Sequence, residues 1–366
     1  MLKRFEVSNY RGFSDKIVFD LSAEDFSFNQ NLVNNGVVNK ALIYGKNGIG
    51  KSSLGLAIFD IVAHLTDNAV RPKPNYRNLE SPSDPAIFRY VFVFGKDEII
   101  YEYQKMDLYE LCYEKLTFNG KIVADYDYFN KGNQFVDDFL KGSLNIDLVD
   151  NKLSVLKYIY RNTPTSEGSL LTKMMDFVNR MLWYRSLSEG NSYMGFTNGG
   201  ADMTDVIYQN GKRQEFQEFL KKNGLEYELE FESENGMRVL YAYYNHRANK
   251  ARFIELASSG TMALMLFFVW STVAFNRISF LFIDEFDAFF HYESAETLVE
   301  LLNTQPGFQS VLTTHNTYLM QNRLTRPDCC YIMTKSKISN LNDSTDREIR
   351  EAHNLEKMYI NGAFQE

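Results

Sequence analysis

Three groups of residues have types and spacings suited to chemistry on a phosphate. The first is Gly45-Lys46-Asn47-Gly48-Ile49-Gly50-Lys51-Ser52, followed by Ser53, which fits G-x-x-x-x-G-K-[ST]. Its glycines let backbone N–H groups turn inward around phosphate oxygens, and a helix opening at Lys51 adds the positive end of its dipole. Lys51 can reach β- and γ-phosphates, while the Ser52 hydroxyl can offer an oxygen to Mg2+. The second group is Asp284-Glu285, which ends the apolar run Phe280-Leu281-Phe282-Ile283. A carboxylate emerging at the carboxyl edge of a sheet can hold Mg2+ through water, and its neighbour can orient and deprotonate an attacking water. Asp284 joins Ser52 as the expected metal residue, and Glu285 is the expected general base. The third is His315, in Thr313-Thr314-His315-Asn316, which closes another expected strand and so places an imidazole at the same edge. Taken alone, the acidic pair would equally suit a turn closing a buried strand, and His315 a surface position. Beside the glycine-rich loop, the phosphate reading takes precedence.

Ala257-Ser258-Ser259-Gly260-Thr261 precedes a very apolar run and would form a second helix N-terminus, an anion site or simply a good cap. Strands are expected at Leu2–Val7, Lys16–Phe19, Ala41–Tyr44, Phe88–Phe94, Ile99–Tyr103 and Leu108–Phe118, with a helix from Lys51 to about Leu65. From about Phe129 to Gly224 the texture is helical, at Leu148–Tyr160, Leu170–Leu187 and Arg213–Lys222, with loops rich in Gly, Ser and Asn. Strands return at Glu226–Phe231, Met237–Tyr244, Ile278–Ile283, Ser310–Thr313 and Cys330–Met333, with a helix near Glu293–Leu302. Fully apolar short strands alternating with helices indicate a parallel sheet covered on both faces. The expected class is α/β, with a mostly parallel core sheet, a β-rich lobe and a helical insertion. The expected division is 1–128, 129–224 and 225–366.

With 366 residues and 45% apolar content the chain can bury a large core. Its 29 Phe and 23 Tyr against two Trp favour aromatic strands over long charged helices. A net charge of −8 offers no broad footprint for a polyanion, although a local basic groove stays open. Cys112, Cys329 and Cys330 form neither a disulfide framework nor a zinc pattern, which suits a reducing cytoplasm. The first residues lack the features of a secretory leader. The run Met262–Phe275 is too short to span a bilayer and reads as a buried helix, so no membrane partner is expected.

Together, GKNGIGKSS, ELASSGT, FLFIDEFD and LTTHN resemble the Walker A, signature, Walker B and switch-histidine set of ABC ATPases, in the RecF/SMC/OLD branch. Asn9-Tyr10-Arg11-Gly12-Phe13 resembles that branch's N-terminal Asn-aromatic-Arg motif, which brings Arg11 into the expected nucleotide site. The whole chain, including Tyr359-Ile360-Asn361-Gly362-Ala363-Phe364, is similar to stand-alone ATPases of bacterial phage-defence and abortive-infection (PARIS-like) systems. The resemblance implies the ABC P-loop fold, ATP and Mg2+ as ligands, and Ser258, Ser259 and Gly260 contacting the γ-phosphate of ATP held by a second copy. It implies that His315 senses that phosphate. The signature reads SSGT where transporters have SGGQ, and His291 stands where they place an aspartate, so a transporter motor is not expected. Gln104 is the candidate for a glutamine loop.

Two functions compete. One is an ATP-switched homodimer or larger homo-oligomer that senses an invader, such as DNA or a phage protein, and controls a separate effector, a toprim or other nuclease or toxin. The other is a RecF/SMC-like ATPase acting on DNA, for which Arg213, Lys221, Lys222 and the segment His246–Arg252 supply positive charge. The roughly fifty residues after His315 leave no room for an appended toprim domain, and no long heptad region separates Lys51 from Ser258. A small-molecule kinase would leave the signature and His315 unexplained.

Overall fold

The computed structural model describes residues 1–366 apart from 69, 71–73, 130–133, 136–150, 164–167, 187–192, 197–201 and 366. A seven-stranded sheet runs in the order Tyr193–Gly195, Met181–Arg185, Phe280–Asp284, Gln309–Thr314, Lys40–Tyr44, Cys330–Met333, Ile338–Asn340. Its inner five strands are parallel and its two short edge strands antiparallel. Side chains alternate between two cores with the period of two that a strand imposes. Phe280 and Phe282 enter one core with Ile43, Trp183 and Val311, whereas Leu281 and Ile283 enter the other with Leu42, Leu182 and Leu312. Both faces are covered, which is why these strands read as continuous apolar runs.

The first core also takes Leu54, Ala57 and Ile58 of the helix Lys51–Ile58, and Met174 and Phe177 of Leu170–Asn179. Beyond them lies a second seven-stranded sheet, antiparallel throughout, which is the expected β-rich lobe. Its order is Gln134–Phe135, Lys121–Asp127, Leu111–Phe118, Asp97–Lys105, Ala86–Phe94, Leu2–Ser8, Ile17–Asp20. The second core is closed by the helices Ser259–Val273 and Tyr292–Asn303 and by a three-stranded sheet, Glu228–Glu234, Met237–Tyr244 and Asn249–Arg252. The expected α/β architecture, parallel core beside a β-rich lobe, is therefore present. Ser259–Val273 buries most of its residues on all sides, and among the described residues no helix is long and apolar enough to cross a membrane.

Two expectations change. The stretch Leu170–Leu187 is helical only to Asn179, and Met181–Arg185 is a strand pairing in parallel with Phe280–Asp284. A short apolar run after an amphipathic helix has no period of its own, so the helix could not be told from a buried strand. Part of the segment 129–224 is thus built into the core sheet. The expected helix Leu148–Tyr160 is Val155–Asn162, started by the Ser154 hydroxyl accepting from Lys157 N–H; positions 148–150 lie outside the described residues.

The helix after the glycine-rich loop breaks at Phe59 and resumes as Asp60–Leu65. Asp60 is buried, and its carboxylate accepts from the Tyr76 and Tyr103 hydroxyls at 2.8 and 2.9 Å and from Lys105 Nζ at 2.8 Å. That network ties the helical layer to the antiparallel lobe. Each donor offsets part of the cost of burying the carboxylate.

Candidate functional site

The strand Lys40–Tyr44 lies between Gln309–Thr314 and Cys330–Met333, and the glycine-rich loop leaves its carboxyl end. Gly50, the cap of Lys51–Ile58, has φ 113°, and Gly48 has φ 76°, values that a side chain would strain. A Cβ on Gly50 would meet the Phe13 ring at 2.7 Å, and one on Gly45 would meet Ile49 Cδ1 at 2.2 Å. The loop is therefore packed from below, while Lys46, Asn47 and Gly48 face solvent. Lys51 folds back over it. Its ammonium donates to the Gly45 and Lys46 carbonyls at 2.6 and 3.0 Å and lies 3.1 Å from His315 Nε2. Burial lowers the Lys51 pKa, and the carboxylates of Asp284, Glu285 and Asp287 oppose that shift.

The acidic strand ends beside this loop. Asp284 is fully buried, and burial pushes its carboxyl pKa up against the hydrogen bonds of Ser52 and Thr313. The Thr313 hydroxyl donates to Asp284 Oδ1 at 2.9 Å and accepts from Glu285 N–H at 2.8 Å. Thr314 donates to Asp287 Oδ2 at 2.6 Å. Glu285 sits at φ 49°, in the left-handed region, and its Oε2 accepts from Arg185 Nε at 3.1 Å and lies 2.5 Å from Nη2 in an ion pair. Asp284 Oδ2 is buried with no hydrogen-bond partner. An orphaned carboxylate oxygen beside the Ser52 hydroxyl is a hard-oxygen donor set that fits Mg2+. Among the described residues no cluster of three His, Cys, Asp or Glu could hold a metal.

Lys51, Ser52, Asp284, Glu285 and His315 thus meet at one sheet edge, as expected. Arg185, Asp287, Thr313 and Thr314 join them, and sequence reasoning assigned them no role. Asp287 was legible as the last residue of Asp-Glu-Phe-Asp, and Arg185 as the charge ending an apolar run much like Phe280–Ile283. Arg11 takes another course. It has φ 51° and its guanidinium donates to the Pro74 carbonyl at 3.1 Å, while Phe13 of the same motif packs against Gly50 of the glycine-rich loop. Gln104 lies within Asp97–Lys105, paired with Tyr113 and Ile87 in the antiparallel lobe, away from the parallel-sheet edge.

Ser258 caps Ser259–Val273, its hydroxyl accepting from Thr261 N–H at 3.2 Å. Gly260 packs so closely on the Phe289 carbonyl that a Cβ would lie 2.8 Å from it. Ser258 and Ser259 are exposed, and among the described residues no hydrogen bond joins them to the glycine-rich loop. A cavity of about 650 Å3 lined by Tyr208, Met237, Arg252 and Ile254 includes neither the glycine-rich loop nor Asp284 and Glu285.

A glycine-rich loop and helix N-terminus at the carboxyl edge of a parallel sheet, with an acidic pair ending the next strand but one, define a P-loop nucleotide-binding architecture. The family model described as "AAA domain, putative AbiEii toxin, Type IV TA system" matches residues 40–321, well over half of the chain, from the glycine-rich loop through His315. The chain belongs to that family, within the AAA/ABC-type ATPases. Among solved structures it is similar to the SMC head domain from Thermotoga maritima, at 15% identity and TM-score 0.42 over 93% of this chain and 98% of that one. It is also similar to the SmcHead bound to the C-winged helix domain of ScpA, at 15% identity and TM-score 0.45 over 93% and 97%. A third is the Smc head domain with an extended coiled coil bound to the C-terminal domain of ScpA, derived from Pyrococcus furiosus, at 12% identity and TM-score 0.43 over 93% and 97%. Comparison with curated proteins gives no match.

Proposed function

We propose that the protein binds and hydrolyses ATP with Mg2+, and that two copies complete each other's sites. The observation that carries this reading is the meeting of Lys51, Ser52, Asp284, Glu285 and His315 around one loop. The amides of the glycine-rich loop, with Gly45, Asn47, Gly48 and Gly50, cradle the phosphates, and Ser53 continues the helix N-terminus. Lys51 exchanges the Gly45 and Lys46 carbonyls for phosphate oxygens. Ser52 and Asp284 would hold Mg2+, which would supply charge neutralisation on the phosphates. Glu285 takes the proton of the attacking water, and His315, within reach of the Lys51 ammonium, reads the terminal phosphate.

Ser258, Ser259 and Gly260 form an exposed helix N-terminus without a phosphate loop of its own, which is suited to an anion brought by a second copy. In this reading the ATP-bound homodimer, or a larger homo-oligomer, is a switch in anti-phage defence that controls a separate effector. The family description, with its AbiEii toxin and Type IV TA system, supports that setting. The DNA-acting alternative is less favoured on the charges. Arg247 pairs with Glu228, Lys250 with Glu232 at 2.5 Å, and Arg252 with Glu234 at 2.8 Å, so the basic loop is largely neutralised across its own sheet.

The test is ATP turnover by the purified chain, by Lys51→Ala, by Ser258→Arg, and by a mixture of the two inactive variants. In a heterodimer one site carries both lesions and the other joins an intact loop to an intact signature. Reappearance of activity on mixing is expected. Undiminished turnover in Lys51→Ala overturns the site, and shown heterodimers without any recovery overturn the shared arrangement. Co-purification with proteins of its native operon, with and without ATP, tests the effector.

A further inference from the structure

The strand Met181–Arg185 runs parallel to Phe280–Asp284 in a register that sets Arg185 opposite Asp284, and Ser186 N–H donates to the Asp284 carbonyl at 3.3 Å. Arg185 therefore stands at the same sheet edge as the acidic pair, on the side away from Thr313 and Thr314. Those threonines hold two of the three carboxylates, Asp284 and Asp287. The third, Glu285, has its backbone N–H bound to Thr313 and its side chain, among the described residues, held by Arg185 alone.

The contact is asymmetric. Nε and Nη2 both fall on Oε2, at 3.1 and 2.5 Å, while Arg185 Nε stays 3.7 Å from Asp284 Oδ2. Oε1 of Glu285 accepts no hydrogen bond from the described residues. A guanidinium that pins one carboxylate oxygen by a charge-assisted hydrogen bond and an ion pair leaves the other oxygen as the acceptor for a water. The φ of 49° at Glu285 adds a reason for such a clamp, because a non-glycine residue in that region persists where its surroundings over-determine it.

We propose that Arg185 is the positioning residue of the general base: it binds Oε2 of Glu285 and so presents Oε1 to the attacking water. The proposal rests on the reading of Glu285 as that base. It assigns Arg185 no contact with the nucleotide, so its removal acts on the chemical step and not on binding.

The experiment compares the parental chain with Arg185→Ala, Arg185→Lys, Glu285→Gln and the double variant Arg185→Ala/Glu285→Gln, using steady-state and single-turnover ATP hydrolysis and binding of a fluorescent ATP analogue. Arg185→Ala is expected to lower kcat roughly ten- to a hundred-fold with KM and analogue affinity changed less than about threefold, the size of loss that misplacing a reacting group produces. Arg185→Lys restores the charge without the two-donor geometry and should recover only part of the loss. In the double variant the two losses should fail to add, because Arg185 acts through the carboxylate that Glu285→Gln has already removed.

Parental kcat in Arg185→Ala overturns the proposal, as does a rise in KM with kcat unchanged. Losses that multiply in the double variant overturn it as well, since they assign Arg185 a role independent of Glu285. A binding-competent Arg185→Lys that matches the parent reduces the role to charge and overturns the geometric claim. If the parental chain has no Lys51-dependent turnover, the ATPase reading itself fails, an outcome distinct from each of these.

Discussion

Gly55→Ala places two effects of opposite sign at one atom. Gly55 is the fifth residue of Lys51–Ile58, and by helix propensity alone alanine there should stabilise by about 1 kcal/mol. A Cβ at that position would lie 2.6 Å from Phe282 Cε1, 2.9 Å from Phe282 Cζ and 2.9 Å from Trp183 Nε1. Both rings are buried in the core beneath the helix, Phe282 completely, so neither can swing away as a surface side chain would. Ordinary contact needs separations about 1 Å longer, and overpacking of a buried site costs roughly 1–3 kcal/mol. Three close approaches to two buried rings put the cost in the upper part of that range, so the collision outweighs the propensity gain, for a net loss of up to about 2 kcal/mol. With an unfolding entropy near 2 cal/mol/K per residue this is a fall in Tm of at most about 3 °C. The functional loss should be larger, because the helix whose N-terminus is proposed to meet the phosphates must lift from the sheet to make room. Thermal unfolding and titration with a fluorescent ATP analogue measure the two effects together. A fall in Tm with at least tenfold weaker binding is expected. A rise in Tm of about 1 °C with affinity intact would mean that the helix does not rest on Phe282 and Trp183 as described, and the packing argument would be refuted.

Glu285→Gln should retain analogue binding while turnover falls by two or more orders of magnitude and ATP-dependent dimers accumulate, as read by light scattering; parental turnover would place the base elsewhere. Thr313→Val keeps the side-chain volume but strips the donor from Asp284 Oδ1 and the acceptor from Glu285 N–H, each worth about 1–3 kcal/mol when left unpaired in a buried site. It should lower kcat and raise the Mg2+ concentration needed for half-maximal turnover, and an unchanged Mg2+ titration would count against the arrangement of Asp284. Lys105→Met leaves Asp60 buried with only its two tyrosine donors and should destabilise the protein by roughly 3 kcal/mol, seen as a Tm several degrees lower; a Tm within 1 °C of the parent would show that the ion pair contributes nothing net.

The glycine-rich loop, the acidic pair and His315 were legible in the sequence as candidates because the physics of each is local. Backbone amides, a helix dipole and the lysine that follows them lie within nine residues, and an acidic pair ending an apolar run leaves the sheet at its carboxyl edge in any parallel arrangement. The covered sheet was legible for a similar reason, since two buried faces leave strands without polar alternation. Tertiary structure alone decided the partners of these groups. Arg185 stands a hundred residues before Glu285, in a stretch whose pattern could not separate strand from helix, and it reaches the carboxylate only because Met181–Arg185 pairs in register with Phe280–Asp284. Phe13 reaches Gly50, and Trp183 reaches Gly55, from elsewhere in the chain as well. Strand order and register arise from how all the apolar faces pack at once, and no local pattern encodes them. The sequence by itself therefore determined which residue types suit chemistry on a phosphate, and the packed sheets determined which side chains meet them.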